Sequence, residues 1–266
     1  MLSVEHVTKK YGKNIAVNDI SFSLEPGSVT VLLGPNGAGK STIMKSIIGF
    51  LKYDGDITVE GIPNKTSEAR RLLGYIPEMP SLYPNLTVSE HMEFLARAYK
   101  LDNYKGRIDM LLDRFELSDK RKKFGDELSK GMKQKLNICL GLLPEPRYLL
   151  LDEPMIGLDP HAIKELKAAF EEMRAEGRTL LVSTHIIDSV DMLWDRTIIM
   201  QGGRIMSNVT RQELDGTGKS LEQLFFEVTE GLGRDDMSHS EGEASEEDKT
   251  PETKRSGLGL FRRQAK

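Results

Sequence analysis

The sequence predicts an α/β fold: a largely parallel sheet, preceded by an antiparallel β unit and interrupted by a helical insertion. Three observations lead there. Short apolar runs alternate with helical patterns, one run leads directly into a glycine-rich turn and a helix, and a long central stretch is helical throughout.

In chain order, Leu2 and Val4, then Ile20, Phe22 and Leu24, alternate with polar residues as half-buried antiparallel strands do. Glu25-Pro26-Gly27 is a turn. Val29-Thr30-Val31-Leu32-Leu33 has no polar face and reads as a strand buried on both sides. After the glycines, Ile43, Met44, Ile47 and Ile48 recur at helical spacing. Residues 57–59 and 72–76 read as short strands. From Leu86 the pattern is helical, with a capping box at Thr87-Val88-Ser89-Glu90 and further helices over 108–117 and 131–143. The insertion therefore covers about residues 80–146. Strand signals return at 148–151, 179–182 and 197–200, with helices at 160–176 and 186–193 between them. After Gly231 the chain turns rich in Ser, Glu, Asp and Lys. One folded domain over 1–232 and a charged, disordered tail over 233–266 are expected.

Composition narrows the function classes. No run approaches 18 consecutive apolar residues, and the mean hydropathy is −0.39, so no span of a bilayer is expected. The start, Met1-Leu2-Ser3-Val4-Glu5-His6, lacks a basic-then-apolar leader pattern, and Cys139 is the only cysteine. Both point to the cytosol. The net charge of −4 conceals a tail that carries −7 over 235–252 and +5 over 253–266, which leaves −2 for residues 1–234. A nearly neutral body argues against nucleic acid as a partner. Leu258-Gly259-Leu260-Phe261-Arg262-Arg263 mixes apolar and basic residues and is read as a solvated terminus, with anionic lipid or the acidic stretch as its other possible contacts.

The chemistry is concentrated in Gly34-Pro35-Asn36-Gly37-Ala38-Gly39-Lys40-Ser41-Thr42, which fits the phosphate-binding P-loop pattern G-x-x-x-x-G-K-[ST]. Strand, glycine turn and helix start aim backbone N–H groups and a positive dipole end at an anion. Lys40 then reaches the β- and γ-phosphates and the Ser41 hydroxyl suits Mg²⁺. A second apolar strand ends in Asp152-Glu153-Pro154. A parallel strand delivers its last residues to the sheet edge where α/β folds bind ligands. Asp152 there suits Mg²⁺, and Glu153 can accept a proton from an attacking water. His185 ends a third apolar strand, a weak signal taken alone.

Taken together these residues resemble the ATP-binding subunit of an ABC transporter, over about residues 2–210. The most diagnostic stretch, Leu128-Ser129-Lys130-Gly131-Met132, is similar to that family's LSGGQ signature. The resemblance implies a RecA-like P-loop NTPase core, ATP and Mg²⁺ as ligands, and two ATPase domains paired head to tail, as a homodimer or heterodimer. Each ATP then lies between one P-loop and the partner's signature helix, where Ser129 and Gly131 meet the γ-phosphate. It implies further that Tyr11 stacks on adenine, that Asp159 in Gly157-Leu158-Asp159-Pro160 crosses toward the partner, and that His185 contacts the γ-phosphate. Integral membrane permease subunits would dock near residues 79–83 and hold the chain at the cytoplasmic face of the membrane.

Two motifs depart from the family pattern. Glu78 stands where glutamine is usual; it can ligate Mg²⁺ but adds charge and donates no hydrogen bond. Lys130 and Met132 replace a glycine and a glutamine of the signature. Both departures resemble the ABC-2-type exporter branch, and the short charged tail also favours export. An importer ATPase and a soluble, non-transport ABC ATPase remain as alternatives.

Overall fold

The computed structural model describes residues 1–187 and 194–230. Strand β1 (Leu2–Tyr11) pairs antiparallel with β2 (Asn14–Leu24), and on its other side with β4 (Asp54–Val59), which pairs with the short β5 (Ile62–Pro63). Leu2 faces Leu24 and Val4 faces Phe22, so the alternation in the sequence lands on one buried face. The β1–β2 hairpin closes on Gly12-Lys13, with Tyr11 opposite Asn14 and Gly12 at φ +59.

The second sheet has the order β10-β9-β3-β8-β7-β6, where β3 is Val29–Leu33, β6 Leu73–Ile76, β7 Tyr148–Asp152, β8 Thr179–Thr184, β9 Arg196–Gln201 and β10 Arg204–Thr210. All pairs are parallel except β9 with β10. Every residue of β3, β7 and β8 is buried. The cause is cover on both faces. In β7, Leu149 and Leu151 pack into a core shared with the inserted helices and α6 (Pro160–Ala175). Tyr148 and Leu150 pack into the opposite core, shared with the antiparallel sheet and α1 (Lys40–Ile47).

The insertion lies between β6 and β7 in the chain and holds α3 (Val88–Ala98), α4 (Tyr104–Arg114) and α5 (Lys130–Leu142). The Thr87 capping box forms, with Thr87 Oγ1 accepting from Glu90 N–H and the Glu90 carboxylate accepting from Thr87 N–H. An interhelical and helix–core network centres on Arg114, whose guanidinium grips Glu165 and Glu172 of α6.

Several elements differ from the sequence reading. The α2 helix (Ser67–Leu72) takes the first residue assigned to a strand, because Thr66 caps it from Ala69 N–H. The α4 helix starts four residues early and stops at Arg114, where Glu116 at φ +56 turns the chain. β5, β10, α7 (Arg211–Thr217) and α8 (Leu221–Glu230) were not foreseen. β10 is a half-exposed edge strand and so lacks the apolar run that marks its neighbours. The helix read at 186–193 lies largely outside the described residues, as do the tail over 233–266 and its apolar-basic segment. Among the described residues no helix is long and apolar enough to cross a membrane.

Candidate functional site

β3 delivers the chain to the carboxyl edge of the parallel sheet, and residues 34–39 fold back into the start of α1. Only glycine suits two points of that turn. Gly39 caps α1 at φ +104, where an added Cβ would stand 2.6 Å from the Ala16 carbonyl oxygen. A Cβ on Gly34 would stand 2.3 Å from the Met200 carbonyl oxygen. The loop thus wraps a cleft of about 480 Å³. Asn36, Gly37, Ala38, Gly39, Lys40, Ser41 and Thr42 form its floor. Tyr11, Asn14 and Ala16 of the hairpin form one wall, and Glu78 and Glu153 the other. Tyr11 is 49% exposed at the mouth, with the Lys9 ammonium 4.9 Å from its ring centre.

Lys40 is 6% exposed, and its ammonium donates to the carbonyls of Gly34 at 2.7 Å and Pro35 at 3.3 Å. It also stands 3.4 Å from Glu153 Oε1. The same oxygen meets His185 Nδ1 at 2.9 Å. Glu153 is buried at the end of β7 and adopts φ +48, a left-handed conformation that costs a non-glycine residue on the order of 1 kcal/mol. Its N–H is held by the Oγ and carbonyl of Ser183, which fixes the turn. Its second carboxylate oxygen, Oε2, is buried and accepts no hydrogen bond among the described residues. Such an oxygen is costly unless a ligand or water supplies a donor.

The neighbouring Asp152 is fixed more completely. The β7–β8 register sets Ser183 directly opposite it, and Ser183 Oγ donates to Oδ1 at 2.6 Å. The β6–β7 register pairs Tyr75 with Leu150, two residues before Asp152 and on the same face. The Tyr75 hydroxyl donates to Asp152 Oδ2 at 3.2 Å. Burial, then the charge of Asp152, hold the Tyr75 hydroxyl above the ordinary tyrosine range, so it remains a donor. Tyr75, Ser183, Asn14 and Ala16 were not singled out in the sequence; their places follow from sheet register and the hairpin, which no local motif encodes.

Ser41, Asp152 and Glu78 are oxygen donors of the kind that a hard divalent cation takes. The floor glycines, the open Glu153 oxygen and these donors together fit a nucleotide with its cation.

Gly34, Asp152 and His185 lie outside the cleft lining but adjoin it, Gly34 through Lys40, His185 through Glu153 and Asp152 as the chain neighbour of Glu153. Ser129, Gly131 and Asp159 are not in the lining and have no such contact with it among the described residues. Ser129 caps α5, its Oγ accepting from Met132 N–H at 3.3 Å, and Gly131 lies in that helix's first turn. Asp159 caps α6 through Ala162 N–H at 2.8 Å. Two side chains of α5 clasp the loop between β7 and α6: Gln134 Nε2 donates to Pro154 O at 3.1 Å, and Lys135 meets Asp159 Oδ2 at 2.8 Å. Lys135 also meets Glu116 at 2.8 Å. Burial alone would lower its pKa, but bonds to Asp159 and Glu116 raise it; the same Lys135 bond, then Ala162 N–H, lowers that of Asp159. Glu116, Asp159 and His161 have metal-ligand spacing, yet the Lys135 ammonium already pairs with both carboxylates.

The family model described as ABC transporter matches residues 17–156. The chain is 36% identical to the ABC-type transporter ATP-binding protein EcsA of Bacillus subtilis (strain 168), over 90% of this chain and 99% of that protein. It is 37% identical to the Nod factor export ATP-binding protein I of Rhizobium etli, over 74% of this chain and 64% of that protein. A solved ATP-binding subunit of an ABC transporter superposes with a TM-score of 0.81, at 36% identity, over 86% of this chain and 99% of that one.

Proposed function

Since the chain belongs to the ABC transporter family as an ATP-binding and ATP-hydrolysing subunit, we propose that its cleft takes Mg²⁺-bound ATP and that two such subunits close on two nucleotides to drive export through separate membrane subunits. The observation that carries the reading is the meeting of Lys40, Glu153 and His185, of which Lys40 and Glu153 line a glycine-wrapped cleft.

In this reading adenine stacks on Tyr11, while Asn36 and the N–H groups of residues 37–42 receive the phosphates. Phosphate oxygens take the Lys40 ammonium from the Gly34 and Pro35 carbonyls and from Glu153. Released from that ion pair, Glu153 accepts the proton of the attacking water as the oxygen–γ-phosphorus bond forms and ADP departs. His185 holds the carboxylate in place from the other side and donates toward the γ-phosphate. Ser41, Asp152 and Glu78 would hold Mg²⁺, which neutralises phosphate charge.

Ser129, Gly131 and Asp159 are not in the lining of their own chain's cleft, which supports a reading in which a second subunit brings its copies to the nucleotide. The family's head-to-tail pairing supplies that geometry. The membrane subunits are assigned to the face that carries Met79, Tyr83 and Phe94, all more than half exposed, with the Tyr83 and Phe94 rings edge to face at 5.7 Å. The chain would then sit at the cytoplasmic face of the membrane. Export is favoured over import because a relative named for Nod factor export shares 37% of its residues over 74% of the chain.

The test is affinity purification of tagged Glu153→Gln chain from detergent-solubilised native membranes with ATP. A co-purifying polytopic membrane protein is expected. A chain absent from the membrane fraction, with soluble partners alone, would overturn the transport reading in favour of a soluble ATPase.

A further inference from the structure

Asp152 is held from two sides, and only one of its supports belongs to the strand on which the family's catalytic histidine follows. Ser183 Oγ donates to Oδ1 at 2.6 Å from β8, and the Tyr75 hydroxyl donates to Oδ2 at 3.2 Å from β6. A carboxylate accepts and never donates, so both bonds have one sense. Each oxygen keeps a further lone pair, and the two donors decide which way those lone pairs point. We propose that Tyr75 is a positioning residue for Asp152, fixing a carboxylate that would hold a divalent cation beside the cleft. The proposal rests on the reading that the cleft binds such a cation with nucleotide.

The surroundings of Tyr75 explain why the position carries a tyrosine with a fixed ring. The Phe50 ring packs edge-on against it at a centroid distance of 6.1 Å. Phe50 lies just past α1, the helix that begins with Lys40 and Ser41. One aromatic pair therefore joins the far end of the phosphate-binding helix to the end of the acidic strand. Packing alone would be served as well by phenylalanine; among the described residues the hydroxyl's hydrogen-bond partner is Asp152.

Tyr75→Phe in the full chain removes that hydroxyl and keeps the ring. Mn²⁺ binding, read by electron paramagnetic resonance in the presence of a non-hydrolysable ATP analogue, is expected to weaken about 10-fold. That is the lower end for such support, in keeping with a bond longer than Ser183's. Binding of the same analogue in EDTA should not change. Unaltered Mn²⁺ affinity would overturn the proposal, and so would equal loss of metal-free nucleotide binding, which marks a merely structural role. If the parent chain with analogue takes up no Mn²⁺, the cation reading itself falls and the proposal with it.

Discussion

Glu153 spends the structure's strain where the chemistry is. Its positive φ turns the side chain back under the P-loop, where one carboxylate oxygen holds both Lys40 and His185 and the other is left open. Glu153→Gln keeps the shape and loses the base. It is expected to bind ATP with parental affinity while phosphate release falls by about 10²–10⁴-fold, and to accumulate as a closed dimer on gel filtration with ATP. Lys40→Ala acts earlier. Loss of the ammonium should weaken ATP binding by about 10–100-fold in a filter assay and abolish the dimer, since charged hydrogen bonds are worth about 1.5–3 kcal/mol. Parental hydrolysis in both variants would refute the site. At this scale the sequence was legible where a motif is local, as in Gly34–Thr42 or Asp152-Glu153. His185 was legible only through resemblance, because a lone histidine after a strand carries no pattern of its own. Tyr75 was not legible at all, since its contact with Asp152 depends on the register of β6 against β7.

Among elements, α5 has the most to hold. Its N-terminus presents Ser129, while its second turn grips the loop that follows Glu153 through Gln134 and Lys135. A displacement of the N-terminal end of α5 must therefore be felt beside the chain's own Glu153. Lys135→Met leaves Glu116 and Asp159 facing one another without a cation. A loss of about 1–2 kcal/mol in urea unfolding is expected, less than for a fully buried pair because both carboxylates are half exposed. Lys135→Arg should recover most of it. The apolar strands β3, β7, β8 and β9 were foreseen because cover on two faces demands continuous apolar residues. The edge strand β10 and the short α2 have no such demand and left no comparable trace.

For the whole molecule, the cleft is lined by the hairpin of the antiparallel sheet and by residues that follow strands of the parallel sheet. None of the inserted helices α3, α4 and α5 contributes to that lining among the described residues. Among the described residues the cleft lining runs from Tyr11 to Glu153, and His185 is the last residue assigned to the site. Removal of residues 234–266 should then leave ATP hydrolysis within about twofold of the parent, as changes away from packed features usually are small. A large loss would give the tail a role in the reaction.

The order of the parallel strands also sets a timetable. The first strand of that sheet to leave a ribosome is β3, yet its only neighbours are β8 and β9. Residues 1–63 can pair among themselves as they emerge, whereas Val29–Leu33 waits for Thr179–Thr184. At ordinary synthesis speeds that interval is about 8–30 s. Through it the nascent chain carries an apolar, unpaired segment beside a finished hairpin, so the nucleotide cleft is among the last things this protein makes.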